Sequence, residues 1–357
     1  MIRRPPRSTL SSSSAASDVY KRQILGSETK TKEILKGLEQ SLLRNINYKF
    51  YLFGNQESIL KNLKKFKKLQ SASEVIDCSE SIAMDDKPSE VIKSKVHSSM
   101  HLAIKSTQEN ETDAVLSFGN TGALMTLSLL NIKTLSEIKR PAIASIWPNM
   151  RGESIVLDLG ANTKLSSKYL VDSAILGSSL ASILFKINKP SVGILNVGKE
   201  EIKGNEEIKN ASDRLQELKK SDLINYSGYI EGNDISLGKT NVVVTDGFTG
   251  NIALKTAEGT AKLFQSHLNN AYQSSILSKL GYILSSISLR SVRERLDPRV
   301  HNCGIFMGLN ALVVKCHGQS EFKGVSYAAD IIYSLLENDV NEKIKKYVNE
   351  MQNKIAI

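Results

Sequence analysis

The feature that most restricts the fold is a repeated junction, in which an apolar strand pattern ends in a glycine-containing turn ahead of a helical pattern. In VVVTDGFTGN, residues 242–244 suit a buried strand, Asp246 follows, and a helical pattern begins near Ile252. The same order recurs at AVLSFGNTGALM (114–125), SIVLDLGAN (154–162) and SVGILNVGKEEIKGNEEI (191–208). Because strands alternate with helices, we expect an α/β fold with a mostly parallel sheet covered on both faces.

Hydrophobic periodicity predicts further elements along the chain. Strands are expected near 48–53, 74–77, 113–117, 142–147, 154–158, 192–196, 226–230, 241–245 and 311–315. Helices are expected near 32–44, 121–132, 167–186, 205–219 and 251–270. The basic stretch KNLKKFKKL (61–69) is interpreted as a solvated helix face, because nucleic-acid surfaces interleave aromatic side chains and this stretch has Phe66 alone.

The polar residues at these junctions are the candidate site. In open α/β sheets the carboxyl ends of the strands share one edge, so the four junctions predict one pooled site. Orphan helix N–H groups and a lysine suit a small oxyanion such as phosphate, although a turn that needs glycine only for its geometry is the alternative. The candidates are Asn120, Thr121, Gly122, Asp158, Gly160, Asn162, Asn196, Gly198, Glu200, Lys203, Gly204, Asp246, Gly247, Thr249, Gly250 and Asn251.

Composition excludes several classes of protein. With 357 residues, 41% hydrophobic and 24% charged, the chain suits a globular α/β protein, and no run approaches the ~18–20 apolar residues of a membrane span. Neither a GxGxxG turn after an early strand nor a GxxxxGK[ST] loop is present. The three cysteines form no CxxC pair, which disfavours a disulfide framework or zinc site and favours a reducing cytosol.

The first 23 residues differ from the rest. MIRRPPRSTLSSSSAASDVYKRQ lacks a hydrophobic period, and its five basic residues and one acidic residue supply four of the ten net positive charges. The segment resembles translated sequencing-adapter sequence, although its composition also suits a transit peptide. We interpret residues 1–23 as an artefactual, disordered tail and residues 24–357 as a single domain.

Residues 272–295 have helical spacing of apolar residues, with serines on the other face and Arg290, Arg293 and Arg295 towards the end. Such a segment suits the surface of an anionic membrane. An ordinary helix packed on the sheet, or on a second subunit, is the alternative. The sequence leaves these interpretations open.

Five motifs taken together resemble the bacterial phosphate acyltransferase family of phospholipid synthesis. They are GNTGAL (119–124), DLGAN (158–162), NVGKEEIKGNE (196–206), DGFTGN (246–251) and LDPRVHNCGIFMGLNALVVKCHG (296–318). The resemblance implies transfer of a long-chain acyl group from acyl carrier protein to inorganic phosphate. The acyl phosphate formed would then be used by a downstream glycerol-3-phosphate acyltransferase.

The resemblance also implies a fold and partners. The fold would be a three-layer α/β/α sandwich, similar to phosphotransacetylases and to dehydrogenases of the isopropylmalate type. The protein would be a cytoplasmic homodimer without a metal or organic cofactor, and would associate peripherally with the membrane through 272–295. Acidic carrier proteins suit a basic surface, for which residues 61–68 and Arg290, Arg293 and Arg295 are candidates.

Phosphate is itself a nucleophile, so no acyl-enzyme and no catalytic cysteine are expected. We expect the turns at 120–122 and 249–251 to bind phosphate with Lys203, which with Asn251 belongs to the catalytic set. His317, Asn162 or Asn196 would donate to the oxyanion. Asp246 would be a base, would orient a donor, or would simply be the N-cap of a helix.

Two departures from the family pattern are visible. The first strand and its Asp-Gly turn are missing near Leu25, so the chain is also interpretable as a fragment that needs them. Lys199 stands where a small polar residue is common, and either adds charge near phosphate or faces solvent. An isopropylmalate-type dehydrogenase and a non-catalytic membrane scaffold remain alternative functions.

Overall fold

The computed structural model describes residues 22–23, 28–45, 48–295, 303–316 and 321–355. Within them lie eleven strands: β1 (Arg22–Gln23), β2 (Phe50–Gly54), β3 (Ser73–Asp77), β4 (Ala114–Ser117), β5 (Ala142–Asn149), β6 (Gly152–Leu157), β7 (Ser191–Leu195), β8 (Asn225–Ile230), β9 (Val242–Val244), β10 (Cys303–Met307) and β11 (Leu312–Cys316). The nine predicted strands are confirmed, and β1 and β10 are additions.

Thirteen helices occur in the same described residues. They are α1 (Glu28–Arg44), α2 (Gln56–Leu63), α3 (Lys67–Ser71), α4 (Pro88–Ser94), α5 (Ser99–Gln108), α6 (Thr121–Asn131), α7 (Ser167–Phe185), α8 (Glu206–Lys220), α9 (Gly232–Leu237), α10 (Gly247–Gln273), α11 (Ile276–Arg295), α12 (Phe322–Glu337) and α13 (Val340–Ile355). The predicted helices are confirmed. The basic stretch 61–69 is divided between α2 and α3, with its lysines exposed and Leu63 and Leu69 buried.

The strands form a three-stranded sheet, β1-β2-β3, and an eight-stranded sheet in the order β4-β11-β10-β5-β6-β9-β7-β8. Strand β1 is parallel to β2, with Arg22 opposite Leu52. This strand corrects the expectation of a disordered tail at its last two residues, whereas residues 1–21 lie outside the described part of the chain.

Strand direction reverses in the middle of the large sheet. The pairs β11–β10, β10–β5 and β5–β6 are antiparallel, and the remaining pairs are parallel. Three reversals separate β4 from β6, so these strands run in opposite directions. The carboxyl ends of β6, β7 and β9 therefore point in one direction and those of β4 and β11 in the other, although the register places Leu116, Leu157 and Val244 in one row across the sheet. We call the first group of strand ends the first edge and the second group the second edge.

Helices cover both faces and make three layers. Alternate strand residues such as Leu116, Val314 and Leu157 pack with α1, α7, α8, α12 and α13. Their neighbours, such as Val115, Val313 and Val156, face the side that carries α4, α5, α6, α9 and the start of α10. Among the helices of the described residues, α7 alone is long and apolar enough to cross a membrane, but 72% of its apolar window is buried, so core packing accounts for its composition.

Helices α10 and α11 form a hairpin that carries exposed apolar side chains. Leu277 and Leu284 of α11 are 80% and 85% exposed, and Phe264 of α10 is 62% exposed. The expectation that 272–295 packs on the sheet as an ordinary helix is wrong for the described side chains of α11. Interaction with a membrane or with a second subunit stays a prediction.

Candidate functional site

Three of the four predicted junctions meet at one edge of the large sheet. In the ladder, Leu157 of β6 lies opposite Val244 of β9, which lies opposite Ile194 of β7. The turns that follow these strands, 158–162, 246–251 and 196–204, are therefore neighbours. The register of the strands thus brings these three junctions together, and their use as one site stays a prediction.

Asp158 is the centre of this edge, and its side chain is fully buried. A buried carboxylate needs hydrogen-bond donors to offset its loss of hydration. The donors to Oδ1 are Ile143 N (3.0 Å), Gly160 N (3.1 Å) and Ala161 N (2.9 Å), and those to Oδ2 are Asn162 N (2.7 Å), Asn162 Nδ2 (3.3 Å) and the Tyr169 hydroxyl (2.6 Å). Six donors leave Asp158 as a structural anchor rather than a contact for substrate.

Asn162 is held in the same network. Its amide donates to Pro141 O at 2.7 Å and to the Tyr169 hydroxyl at 2.9 Å, and its backbone carbonyl accepts from Gly247 N at 2.8 Å. Burial and the charge of Asp158 raise the pKa of Tyr169, so the phenol stays a neutral donor. Asn162 therefore has its amide committed internally, which argues against a role as oxyanion donor.

The DGFTGN turn docks directly onto the DLGAN turn. Asp246 is the N-cap of α10, and its carboxylate accepts from Phe248 N at 2.9 Å and from the Thr249 hydroxyl at 2.6 Å. A Cβ added at Gly250 would lie 1.9 Å from the carbonyl oxygen of Asp158. Glycine is thus required for close approach. Asp246 is an N-cap, as one alternative predicted, and its role as a base or as the group that orients a donor stays a prediction.

Gly247 and Asn251 complete this contact. A Cβ at Gly247 would lie 2.7 Å from the carbonyl oxygen of Asn162, and Asn251 lies beside Gly160, 3.8 Å from the position that a Cβ would take there. Asn251 is exposed. The start of α10 is therefore fixed to the sheet edge by two turns that the sequence had placed in one site.

The third turn holds its polar groups in local pairs. Lys203 Nζ lies 2.8 Å from Glu200, which raises the pKa of Lys203, and the lysine stem covers Gly198. Asn196 donates to Gly198 O at 3.0 Å, and Gly204 has a positive φ of 89°. Lys203 is half-exposed and its charge is compensated by Glu200. A buried lysine that binds phosphate would have no such carboxylate partner.

Lys199 is paired with acidic side chains rather than facing solvent alone, and its contribution of charge near phosphate stays a prediction. Its ammonium lies 2.9 Å from Asp234 and 3.6 Å from Glu231, two acidic residues at the start of α9. The side chain of Asp234 is fully buried, and its hydrogen bonds to Lys239 and Lys199 outweigh the effect of burial and lower its pKa to about 2. The Lys199 charge is used to tie α9 to the turn after β7.

The fourth junction follows β4, which runs in the direction opposite to β6, β7 and β9, and whether it joins the other three in one site stays a prediction. Asn120 is the N-cap of α6, and its Nδ2 donates to Met84 O and Asp86 O at 3.0 Å each. Thr121 is half-buried and Gly122 is exposed at the start of the helix. The cause of this opposite strand direction is the antiparallel centre of the sheet, which no local sequence pattern predicted.

A lysine that the sequence analysis missed lies at this second edge. Lys315 is opposite Ser117 in the β11–β4 ladder and opposite Gly304 in the β10–β11 ladder. Its side chain shares the sheet face of Val313, on which α6 and the start of α10 also lie. Lys315 and Gly304 are only partly buried, and we define this floor, with Ser117, α6 and α10, as the Lys315 groove.

The charge in the Lys315 groove is weakly compensated. The Lys315 ammonium donates to the carbonyl of Cys316, and within the described residues it forms no ion pair with a carboxylate. Burial, reinforced by the nearby ammonium of Lys255, lowers the pKa of Lys315 to about 8. The one signal in the sequence was a lysine inside the apolar strand ALVVKC.

His317, the cysteines and possible metal ligands are the remaining groups considered in the sequence. His317 lies outside the described residues. The free cysteines Cys78, Cys303 and Cys316 are buried, and desolvation raises the pKa of Cys78 to about 11 and that of Cys303 further. In the described part of the chain, no three His, Cys, Asp or Glu side chains converge as metal ligands would.

Comparison with known proteins identifies the family. The family model described as fatty acid synthesis protein matches residues 23–343. The phosphate acyltransferase of Xanthobacter autotrophicus is 44% identical over 90% of this chain and 90% of its own length. That of Sinorhizobium fredii is 42% identical over 90% of this chain and 93% of its own length.

Solved structures share the fold. A phosphotransacetylase from Streptococcus pyogenes matches with a TM-score of 0.58 and 13% identity, covering 93% of this chain and 94% of that chain. The EutD phosphotransacetylase from Staphylococcus aureus gives 0.57 and 14%, covering 89% and 94%. The predicted α/β class and phosphotransacetylase-like fold are confirmed, and at these identities the likeness concerns the fold alone.

The relatives also decide between the classes of function left open by the sequence. Their shared name confirms the predicted acyltransferase, and it favours neither a dehydrogenase nor a non-catalytic scaffold. The chain belongs to the fatty acid synthesis protein family, in which the relatives it matches are phosphate acyltransferases.

Proposed function

We propose that this protein transfers a long-chain acyl group from the thioester of acyl carrier protein to inorganic phosphate. The observation that carries the proposal is the match to phosphate acyltransferases over nine-tenths of the chain. The acyl phosphate product is a substrate for a downstream glycerol-3-phosphate acyltransferase. No organic cofactor and no metal enters this reaction scheme.

In the proposed reaction, an oxygen of hydrogen phosphate attacks the carbonyl carbon of the thioester. The carbon–oxygen bond forms, the carbon–sulfur bond breaks, and the proton of the phosphate ends on the departing thiol of the carrier protein. The raised pKa values of the buried Cys78 and Cys303 support direct attack, because their thiols lack the thiolate needed for an acyl-enzyme. The protein then contributes positioning and oxyanion stabilisation.

Docking of the carrier protein is proposed at basic surface. The lysines of residues 61–68 are exposed, and acyl carrier proteins are acidic, so long-range attraction should accelerate encounter. The expected result is an association rate that falls as salt is raised. An association rate independent of salt would remove this surface from the proposal.

The α10–α11 hairpin is proposed as the site of assembly and of membrane contact. Exposed Leu263 and Phe264 on α10 suit a second copy of the chain, giving a homodimer. Exposed Ile276, Leu277 and Leu280 near the tip suit the interface of a membrane, giving a cytoplasmic protein that associates peripherally. Flotation with anionic vesicles and sedimentation test the two contacts separately.

The reaction is tested by incubating the protein with palmitoyl–acyl carrier protein and measuring free carrier thiol as a function of phosphate. Trapping the product with hydroxylamine as a hydroxamate identifies acyl phosphate. We expect thiol release to saturate with phosphate, and sulfate at equal ionic strength to give none. Thiol release without phosphate would indicate a thioesterase and would contradict the proposal.

A further inference from the structure

We propose that Lys315 is the cation that binds inorganic phosphate, and that the Lys315 groove is the phosphate site. The inference rests on the proposed function and assigns its acceptor to a residue for which the sequence analysis made no prediction. It replaces Lys203 as the phosphate ligand.

The position of Lys315 is unusual for a lysine. It lies within β11, between β4 and β10, and the other four residues of its strand are buried. Lysine is rarely buried without a partner, since removing an ammonium from water costs free energy. An anion bound in the groove would offset this cost for Lys315, which lies in the middle of the sheet.

No carboxylate compensates this charge within the described residues. The neighbouring Lys255 is itself paired, with its ammonium 2.8 Å from Glu258 on the same helix. The field at Lys315 is thus that of one partly buried ammonium with a second nearby, and the only described acceptor for Lys315 is a backbone carbonyl. A dianion placed there would gain strongly because the surroundings are of low dielectric.

The polar surroundings are also suited to phosphate. Ser117 lies opposite Lys315, and its hydroxyl accepts from Gly119 N at 3.2 Å, which leads the chain into the first turn of α6. The positive end of the α6 dipole therefore lies at the same edge of the sheet as Lys315. This field adds to the attraction of the lysine charge for phosphate, and the lysine charge contributes the larger part.

The first edge, where Asp158 lies, offers no comparable site for phosphate. Lys203 is 45% exposed and paired with Glu200, and Asp158 has its oxygens occupied by internal donors. Yet the two edges are connected, since α10 begins at the Asp158 turn and carries Lys255 to the Lys315 groove. The Asp158 network thus positions one wall of the proposed phosphate site.

The test uses the full chain and inorganic phosphate as the probe. Thermal unfolding is followed over a range of phosphate concentrations, with chloride holding ionic strength constant, for the wild type and for Lys315→Met, Lys315→Arg, Lys203→Met and Lys49→Met. Lys49 pairs with Glu74 at 3.0 Å on the surface and matches the charge removed. Phosphate KM in the thiol-release assay is measured for the same proteins.

We expect phosphate to raise the melting temperature of the wild type and of Lys49→Met, and to leave Lys315→Met nearly unchanged. Phosphate KM should rise about tenfold or more in Lys315→Met, the loss expected for one charge-assisted hydrogen bond. Lys315→Arg should retain part of the shift, because it retains the charge. This arginine variant keeps the test valid if the methionine variant fails to fold.

Three results would overturn the inference. One is a phosphate shift in Lys315→Met equal to that of the wild type, and another is its loss in Lys203→Met alone. In both cases acyl transfer by the wild type would still support the proposed function. A wild type that neither responds to phosphate nor consumes it would overturn the proposed function together with the inference.

Discussion

The two edges of the large sheet treat buried polar groups in opposite ways. At the first edge, the carboxylate of Asp158 accepts six hydrogen bonds, and its neighbours Asn162 and Tyr169 are satisfied by the same network. At the second edge, Lys315 has a neighbouring carbonyl and no described carboxylate. A polar group that is satisfied internally maintains the fold, whereas one left with unused charge is available to a ligand.

The largest expected effect comes from removing the Asp158 carboxylate, which accepts the hydrogen bonds at the first edge. Asp158→Ala would leave several buried N–H groups and a phenol without their acceptor, so we expect a loss of about 3–5 kcal/mol in the free energy of unfolding. Urea denaturation measures this loss. Glu217→Ala, which removes a 61%-exposed carboxylate paired with Arg214 on α8, is the control and should change little. Equal effects of the two substitutions would contradict the structural role of Asp158.

The next effect tests whether the close approach of α10 matters. Gly250→Ala would place a Cβ 1.9 Å from a backbone oxygen, and displacement of the helix should destabilise the protein by about 1–3 kcal/mol or more. Because α10 also carries Lys255, phosphate KM should rise as well. Both quantities follow from denaturation and from the thiol-release assay.

Gly259→Ala is the matched control on the same helix, since a Cβ there would meet nothing within 4 Å. Alanine favours helix over glycine, so this variant should be more stable by up to about 1 kcal/mol. If both glycine variants changed stability alike, helix propensity rather than docking would explain Gly250.

The pH dependence of stability separates the Lys315 groove from the satisfied edge. The folded chain releases the Lys315 proton near pH 8, because burial and Lys255 lower this pKa to about 8, whereas the unfolded chain holds it to an ordinary lysine pKa of 10.5. Between these values the unfolded chain binds more protons, so the contribution of Lys315 to stability rises with pH. Below about pH 8 the cost of burying the charge is fully present.

Comparing the melting temperatures of the wild type and Lys315→Met at pH 7.5 and 9.5 isolates this contribution. We expect Lys315→Met to be the more stable at the lower pH, and the gap to narrow at the higher pH. Saturating phosphate should abolish the gap or reverse it, since the bound anion compensates the charge of the wild type. A gap independent of both pH and phosphate would mean that Lys315 is not a buried, uncompensated cation.

The local patterns were sufficient to predict most elements of the fold. The β-branched run VVV at 242–244 favours a strand, and the glycines of DGFTGN indicate a close contact because a Cβ at Gly247 or Gly250 would clash. The same patterns correctly joined three turns at one edge. The hydrogen bonds that Asp158 accepts could not be predicted, because two of its donors, Ile143 and Tyr169, lie outside the motif that contains Asp158.

Strand direction could not be read from those patterns. An apolar strand looks the same whether its neighbour is parallel or antiparallel, and the reversal depends on β10, which returns the chain between β5 and β11. Without it, the direction of β4, and hence of the turn at Asn120–Gly122, relative to β6 was misjudged. Lys315 was overlooked for a related reason, since its partners Ser117 and Gly304 are set by pairing over long separations in the chain.

The smallest expected effect is that of a substitution at Lys203, in the turn after β7. Lys203→Ala removes an exposed cation whose partner, Glu200, is also exposed, so stability should be unchanged within the error of denaturation. The sequence patterns assigned phosphate to this lysine and predict a large rise in phosphate KM, whereas its pairing and exposure favour a change of less than about threefold, in the range of surface charges. Measuring phosphate KM for Lys203→Ala beside Lys315→Met decides which property identifies a ligand, its place in a motif or its lack of compensation. A rise confined to Lys203→Ala would return the site to the edge where Asp158 lies, and would show that a local ion pair can open to admit phosphate.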